Sequence, residues 1–86
     1  MFIARSKQFE KQYRKLPTKV QKQFGKRLKL FLGDEKHPLL HTHSLAGAYR
    51  GFLSFNVNAD IRAVFMIQNT DTIYFSAIGS HSELYE

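Results

Sequence analysis

Eighty-six residues, a net charge of +6, 14% aromatic side chains and no cysteine make one small domain that buries only roughly 60% of its unfolded surface. Neither a disulfide nor a thiolate-bound metal can hold it together. No apolar run approaches the roughly 20 residues that cross a bilayer, and Arg5 and Lys7 follow Met1 to Ala4 too soon for a secretory leader, so the expectation is a soluble, cytoplasmic domain spanning residues 1–86, with a packed aromatic core.

In chain order, Phe2-Ile3-Ala4 reads as a short edge strand. Ser6 is a helix N-cap, and Phe9, Tyr13 and Leu16 fall at i, i+4 and i+7 on one helical face. Pro17 interrupts, and Thr18 with Gln21 has the spacing of a capping box. A second helix follows, with an apolar stripe of Val20, Phe24, Leu28, Phe31 and Leu32 and a stop at Gly33. Gly25 lies mid-helix, where it costs up to about 1 kcal/mol against alanine, which a close approach of the two helices would explain. Residues 34–45 read as a loop with Pro38 and three histidines. From Tyr49 the period changes to two: Tyr49–Val57, Ile61–Ile67 and Thr72–Ile78 are strands separated by turn-forming residues. The architecture is therefore α+β, β-α-α-β-β-β, an antiparallel sheet packed against an N-terminal helical hairpin, ending in the tail Gly79 to Tyr85.

Charge is unevenly placed. Residues 1–32 hold ten Lys/Arg against the single acid Glu10, whereas residues 33–86 hold three against six acids. The bland reading of any one lysine is the solvated face of a helix. The excess as a whole points to an acidic partner, nucleic acid or protein.

Several residues can carry chemistry. His81, just beyond a strand end, suits general acid–base work near neutral pH, though tail histidines are commonly just exposed. Tyr85 lies four residues on, so a helical turn would put phenol and imidazole on one face. Packing is the competing role. Arg62, amid apolar strand residues, suits a bidentate grip on phosphate, against an ion pair with Asp60 or Glu83. Asp60 reads first as a turn-former. Arg50, Ser54 and Asn56 share an alternation parity and can line a polar sheet face with Arg62, although Phe52 shares that parity too. His37, His41 and His43 do not form a metal motif: no cysteine is present, carboxylates are sparse nearby, and the spacing fits no helix-borne zinc site. There is no phosphate-binding glycine loop, no G-x-S-x-G and no carboxylate pair, so ATPase, serine hydrolase and glycosidase chemistry have no support. No cofactor is expected.

The run His43-Ser44-Leu45-Ala46-Gly47, then Gly51, then Asp60-Ile61-Arg62-Ala63-Val64-Phe65, then Ile78-Gly79-Ser80-His81-Ser82-Glu83-Leu84-Tyr85 resembles the RelE/ParE superfamily of bacterial type II toxins, and within it the YafQ-like branch. The likeness covers nearly the whole chain; each motif is short, but their order and spacing together are specific. It implies a ribosome-dependent mRNA endonuclease, neutralised by a small acidic antitoxin. It also implies that His43, Asp60, His81 and Tyr85 are functional positions. The strand histidine of that branch is Asn56 here, its tryptophan after the aspartate is Ile61, and Arg62 matches an arginine of other RelE-like toxins. One of two central imidazoles is thus absent, which leaves two alternatives: His43 or Tyr85 takes its part, or the enzyme is slower.

The implied reaction is metal-independent attack by the RNA's own 2′-hydroxyl. His81 would transfer protons, Arg62 stabilise the phosphate's charge, and His43 supply a second proton-transfer group or a phosphate contact. Asp60 would orient an imidazole and Tyr85 stack on a base. Lys11, Arg14, Lys15, Lys19, Lys22 and Lys26, with Arg50 and Asn56, would contact RNA or ribosome. The alternative is a ParE-like toxin that inhibits DNA gyrase without cleaving RNA. A non-catalytic RNA-binding sheet ranks below both, for want of an aromatic RNP signature. The tail is expected to add little to the core.

Overall fold

Ser6 starts the first helix as its sequence requires: its hydroxyl oxygen accepts the Phe9 N–H at 2.9 Å. The same hydroxyl donates to the Ser76 carbonyl at 2.8 Å, seventy residues away. The computed structural model describes residues 1–85. Strand β1 (Phe2–Arg5) leads into α1 (Lys7–Arg14) and α2 (Thr18–Gly33). A 3-10 turn at Pro38–Leu40, β2 (His43–Ser44) and a second 3-10 turn at Gly47–Tyr49 follow. Then come β3 (Leu53–Asn56), β4 (Ile61–Gln68), β5 (Thr72–Ser80) and the single turn α3 (His81–Tyr85).

The expected α+β arrangement is present, with a different sheet at its edges. The order is β1-β5-β4-β3-β2, and β1 runs parallel to β5. The sheet is therefore mixed, not wholly antiparallel: β1 is delivered to its partner by the long connection through both helices, which a parallel pair requires. At the other edge, β2 emerges from the expected loop and pairs with β3, His43 facing Ser54. The strand anticipated from Tyr49 begins only at Leu53, because Gly47 (φ 65°) and Gly51 (φ 91°) turn the chain first.

Both helices cover one face of the sheet. Phe9, Phe24 and Phe31 meet Phe55, Phe65 and Phe75 in one core with Ile61, Ala63, Ile73 and Ile78. The rings of Phe24 and Phe75 cross edge-on at 5.3 Å, a favoured aromatic geometry. Leu32, placed on the stripe by periodicity, is 47% exposed, and Leu30 packs on the core instead. The Thr18–Gln21 capping box does not form, since α2 opens without a side-chain cap. The Gln21 amide instead donates to the carbonyls of Tyr13 (3.0 Å) and Leu16 (3.3 Å), satisfying acceptors that the end of α1 leaves open. Gly25 is exposed, with no atom within 4 Å of where a Cβ would sit, so no close helix approach explains it.

A β-bulge decides what the other face receives. The register shifts between Val64/Ala77 and Phe65/Phe75, leaving Ser76 as the extra residue. Bulges re-aim side chains. Here Phe75 and Ile78 both reach the helical core, while Ala77 turns to the far face. There it packs with Val64 and Leu84 in a second, smaller cluster. The tail therefore does contribute core: Leu84 is 6% exposed.

Candidate active site

The far face of the sheet carries the polar chemistry. Residues directly opposite across strands point to the same side, and the pairing runs Asn56, Arg62, Gly79 in one row and His43, Ser54, Val64, Ala77 in the next.

The turn α3 is fixed over this face by a reciprocal cap. Ser80 Oγ accepts the Glu83 N–H at 3.2 Å, and Glu83 Oε1 accepts the Ser80 N–H at 2.8 Å, the two bonds of a capping box. The backbone bond from Ser80 and then the Ser80 hydroxyl hold the Glu83 carboxyl below its ordinary pKa, outweighing the opposing effect of desolvation, and Lys15 adds the weakest contribution. Gly79 is buried, and a Cβ there would lie 3.2 Å from Glu83 Oε1, so the missing side chain lets the turn fold back. His81 and Tyr85, one turn apart, have ring centroids 4.8 Å apart at 61°. Tyr49 crosses Tyr85 edge-on at 5.7 Å. The Tyr85 hydroxyl is buried without a hydrogen-bond partner among the described residues.

Arg62 is half-buried on β4. Its hydrogen bonds go to backbone, not to Asp60 or Glu83: Nη1 donates to the carbonyls of Asn58 (3.2 Å) and Ala59 (3.1 Å). His43 projects from β2 with Nδ1 2.9 Å from the His41 carbonyl and Nε2 3.4 Å from Ser54 Oγ. A carbonyl can only accept, so Nδ1 carries a proton and the neutral ring keeps its lone pair on Nε2. Ser54, fully buried, faces that lone pair.

His43, Arg62, His81 and Tyr85 line one open concavity of about 330 Å³ with Leu45 and Ala46. The structure thus brings together four of the five residues read as catalytic. Asp60 is exposed in the β3–β4 turn and is not in that lining. Nor does its side chain make the turn: Asn58 Oδ1 accepts the N–H groups of Asp60 (2.9 Å) and Ile61 (2.8 Å). Asn56 lies directly opposite Arg62, on the same face but outside the concavity. Arg50 is exposed after the second 3-10 turn, not on β3. Lys11, Arg14, Lys15, Lys19, Lys22 and Lys26 are exposed along α1 and α2. His37 and His41 line a separate, larger hollow of about 450 Å³ with Phe31, Leu53, Phe65 and Ile67. Among the described residues no three His, Asp or Glu side chains are close enough to share a metal ion.

The roles of four supporting residues escaped the sequence reading. The S-x-x-E spacing of Ser80 and Glu83 was a visible capping signal. Asn58 before a short turn was another. Ser54 had no signal of its own, because its role depends on β2, whose two residues are too few to show a period.

A helical hairpin packed on one face of a mixed five-stranded sheet is the fold of RelE-like toxins. More narrowly, the chain belongs to the YafQ family, whose model, described as a bacterial toxin of type II toxin–antitoxin system, matches residues 1–86. Solved structures share the fold. YafQ in the Escherichia coli DinJ–YafQ toxin–antitoxin complex is 22% identical, with a TM-score of 0.69 over 98% of this chain and 96% of that one. A metal-bound toxin from Helicobacter pylori is 25% identical, with a TM-score of 0.74 over 99% of both chains. A YoeB/ParE toxin from Agrobacterium tumefaciens is 13% identical, with a TM-score of 0.79 over 94% of this chain and 99% of that one. No curated protein sequence matches the chain.

Proposed function

We propose that this toxin is a ribosome-dependent mRNA endonuclease whose reaction is driven by the message's own 2′-hydroxyl. The observation that carries the reading is the meeting of two imidazoles and a guanidinium, His43, His81 and Arg62, in one concavity. A base removes the 2′-proton, O2′ attacks the adjacent phosphorus in line, and the P–O5′ bond breaks as an acid protonates the leaving oxygen. The products are a 2′,3′-cyclic phosphate and a 5′-hydroxyl.

His43 is the base: its Nδ1–H bond to the His41 carbonyl puts the lone pair on Nε2, which exchanges its 3.4 Å contact with Ser54 Oγ for the 2′-hydroxyl when it takes the proton. Once charged, the ring keeps the His41 carbonyl as the acceptor of its Nδ1–H. His81 is the acid. Arg62, with Nη1 tied to the turn, has Nε and Nη2 left for the charge that grows on the phosphate. The face of Tyr85 stacks on a base. The lysines of α1 and α2 take the ribosomal RNA backbone, which positions the enzyme without reading sequence.

The partner that silences it is a small acidic antitoxin, as DinJ accompanies YafQ in the solved complex. Charge supports this, since ten of the thirteen Lys/Arg fall in residues 1–32. The place of action is the cytoplasm, with the ribosomes. Among the described residues no helix is long and apolar enough to cross a membrane. Gyrase inhibition is not favoured: the matching family is YafQ, and likeness to the YoeB/ParE toxin extends to fold alone.

The test is expression without any antitoxin, followed by mapping of mRNA 5′ ends and of plasmid supercoiling in the same cells. New in-gene 5′-hydroxyl ends with unchanged plasmid topology are expected. Intact transcripts with altered supercoiling would overturn the proposal.

A further inference from the structure

Arg62 would be a poor transition-state clamp if its long side chain were free to wander, because small displacements of a charge-stabilising group erode its effect steeply. The guanidinium is held by two carbonyls, those of Asn58 and Ala59, and both belong to the turn that joins β3 to β4. What fixes that turn therefore fixes the arginine.

Asn58 is the hub. Its Oδ1 accepts from two successive backbone N–H groups, Asp60 and Ile61, so its orientation is set by the network: oxygen toward the turn, amide outward. The outward Nδ2 donates to Gln23 Oε1 at 2.8 Å, and Gln23 sits on α2, thirty-five residues earlier. An unbroken chain thus runs from the long helix through one asparagine and two turn carbonyls to the guanidinium in the concavity. Every link is between 2.8 and 3.2 Å.

We infer that Asn58 is a positioning residue for Arg62 and that Gln23 braces it against α2. Asn58 touches no substrate; it sets where the guanidinium stands when the phosphate arrives. The inference rests on the nuclease reading for its kinetic consequence, but not for its structural one.

Two measurements on the purified full-length toxin test it. In nitrogen–proton spectra of the arginine side chains, Arg62 gives distinct, slowly averaging Nη signals in the wild type, and Asn58→Ala collapses them. In cleavage of ribosome-bound message, Asn58→Ala lowers kcat by about tenfold or more and leaves KM within about twofold, the pattern of an interaction made in the transition state. Asn58→Asp, which keeps an oxygen acceptor for the turn, restores most of the rate. Gln23→Ala, which leaves the turn intact, gives an intermediate loss. An Asn58→Ala enzyme with wild-type kcat, or Arg62 signals indifferent to the substitution, overturns the inference. A wild type that cuts no message while Arg62 still responds to Asn58 overturns the nuclease reading and leaves the positioning role standing.

Discussion

At the scale of single residues, exposure separates chemistry from stability. His81 is exposed at the start of α3, while the anchoring of that turn falls to Leu84, buried against Val64 and Ala77. His81→Ala should therefore abolish mRNA cleavage while moving the unfolding free energy by no more than about 0.5 kcal/mol, as for most surface substitutions. Paired measurements of cleavage and urea denaturation check this, and a variant that still cuts at the wild-type rate removes His81 from the mechanism. Gly25 makes the opposite case. It lies inside α2, exposed, with open space where a Cβ would go. Gly25→Ala should raise stability by about 0.5–1 kcal/mol through helix propensity and a less disordered unfolded chain. A lower urea midpoint would mean that the position has a neighbour the structure does not show.

At the scale of elements, legibility followed length. Helices of eight and sixteen residues and strands of eight and nine carry enough repeats to declare a period. The helical hairpin, the meander and the side of the sheet that takes the phenylalanines were readable for that reason. Two-residue β2 was not, and the β1–β5 pairing joins the two ends of the sequence, so no local pattern announces that it is parallel. The bulge at Ser76 was half-visible as a break in alternation across Phe75-Ser76-Ala77-Ile78, but its meaning needed the partner strand. The five-residue α3 is held by its caps rather than by a repeat, and it yields a pH prediction. The Glu83 carboxyl is lowered by its bonds to Ser80. A folded-state pKa below the unfolded value of about 4.3 contributes stability that is fully present above that value and is lost as pH falls through the folded one. The wild type should thus exceed Glu83→Gln in urea midpoint at neutral pH, and the gap should close as the carboxyl is protonated. A gap that persists in acid would show that the variant disturbs α3 by some route other than charge. Below the same pH, the signals of His81 and Tyr85 should lose their mutual ring-current shifts as the turn frays.

For the whole molecule, the arrangement is two-sided. Basic helices cover one face of the sheet and the concavity opens on the other, with Lys15 near enough to Glu83 to affect its carboxyl. Composition made the charge imbalance plain, and the motif order named the candidate residues. What a sequence cannot display is that Arg62, His43 and His81 come from different strands and a terminal turn to share one hollow while Asp60 stays outside it. Division of labour between faces has a measurable consequence. If the helices supply phosphate contacts, each neutralised phosphate releases condensed counterions, and log affinity falls with log salt by about 0.9 per contact if the backbone behaves as duplex DNA does. Six contacts would cost about a thousandfold between 50 and 200 mM salt. Replacing Lys19, Lys22 and Lys26 together by glutamine should reduce that slope by about 2.7 and weaken ribosome binding, yet leave intact the chemistry of a message already docked. His81→Ala should do the reverse, keeping the slope and losing the cut. Binding that is flat in salt, or a triple lysine variant with the wild-type slope, would place the ribosome contact elsewhere on the molecule and leave the basic helices to the acidic antitoxin alone.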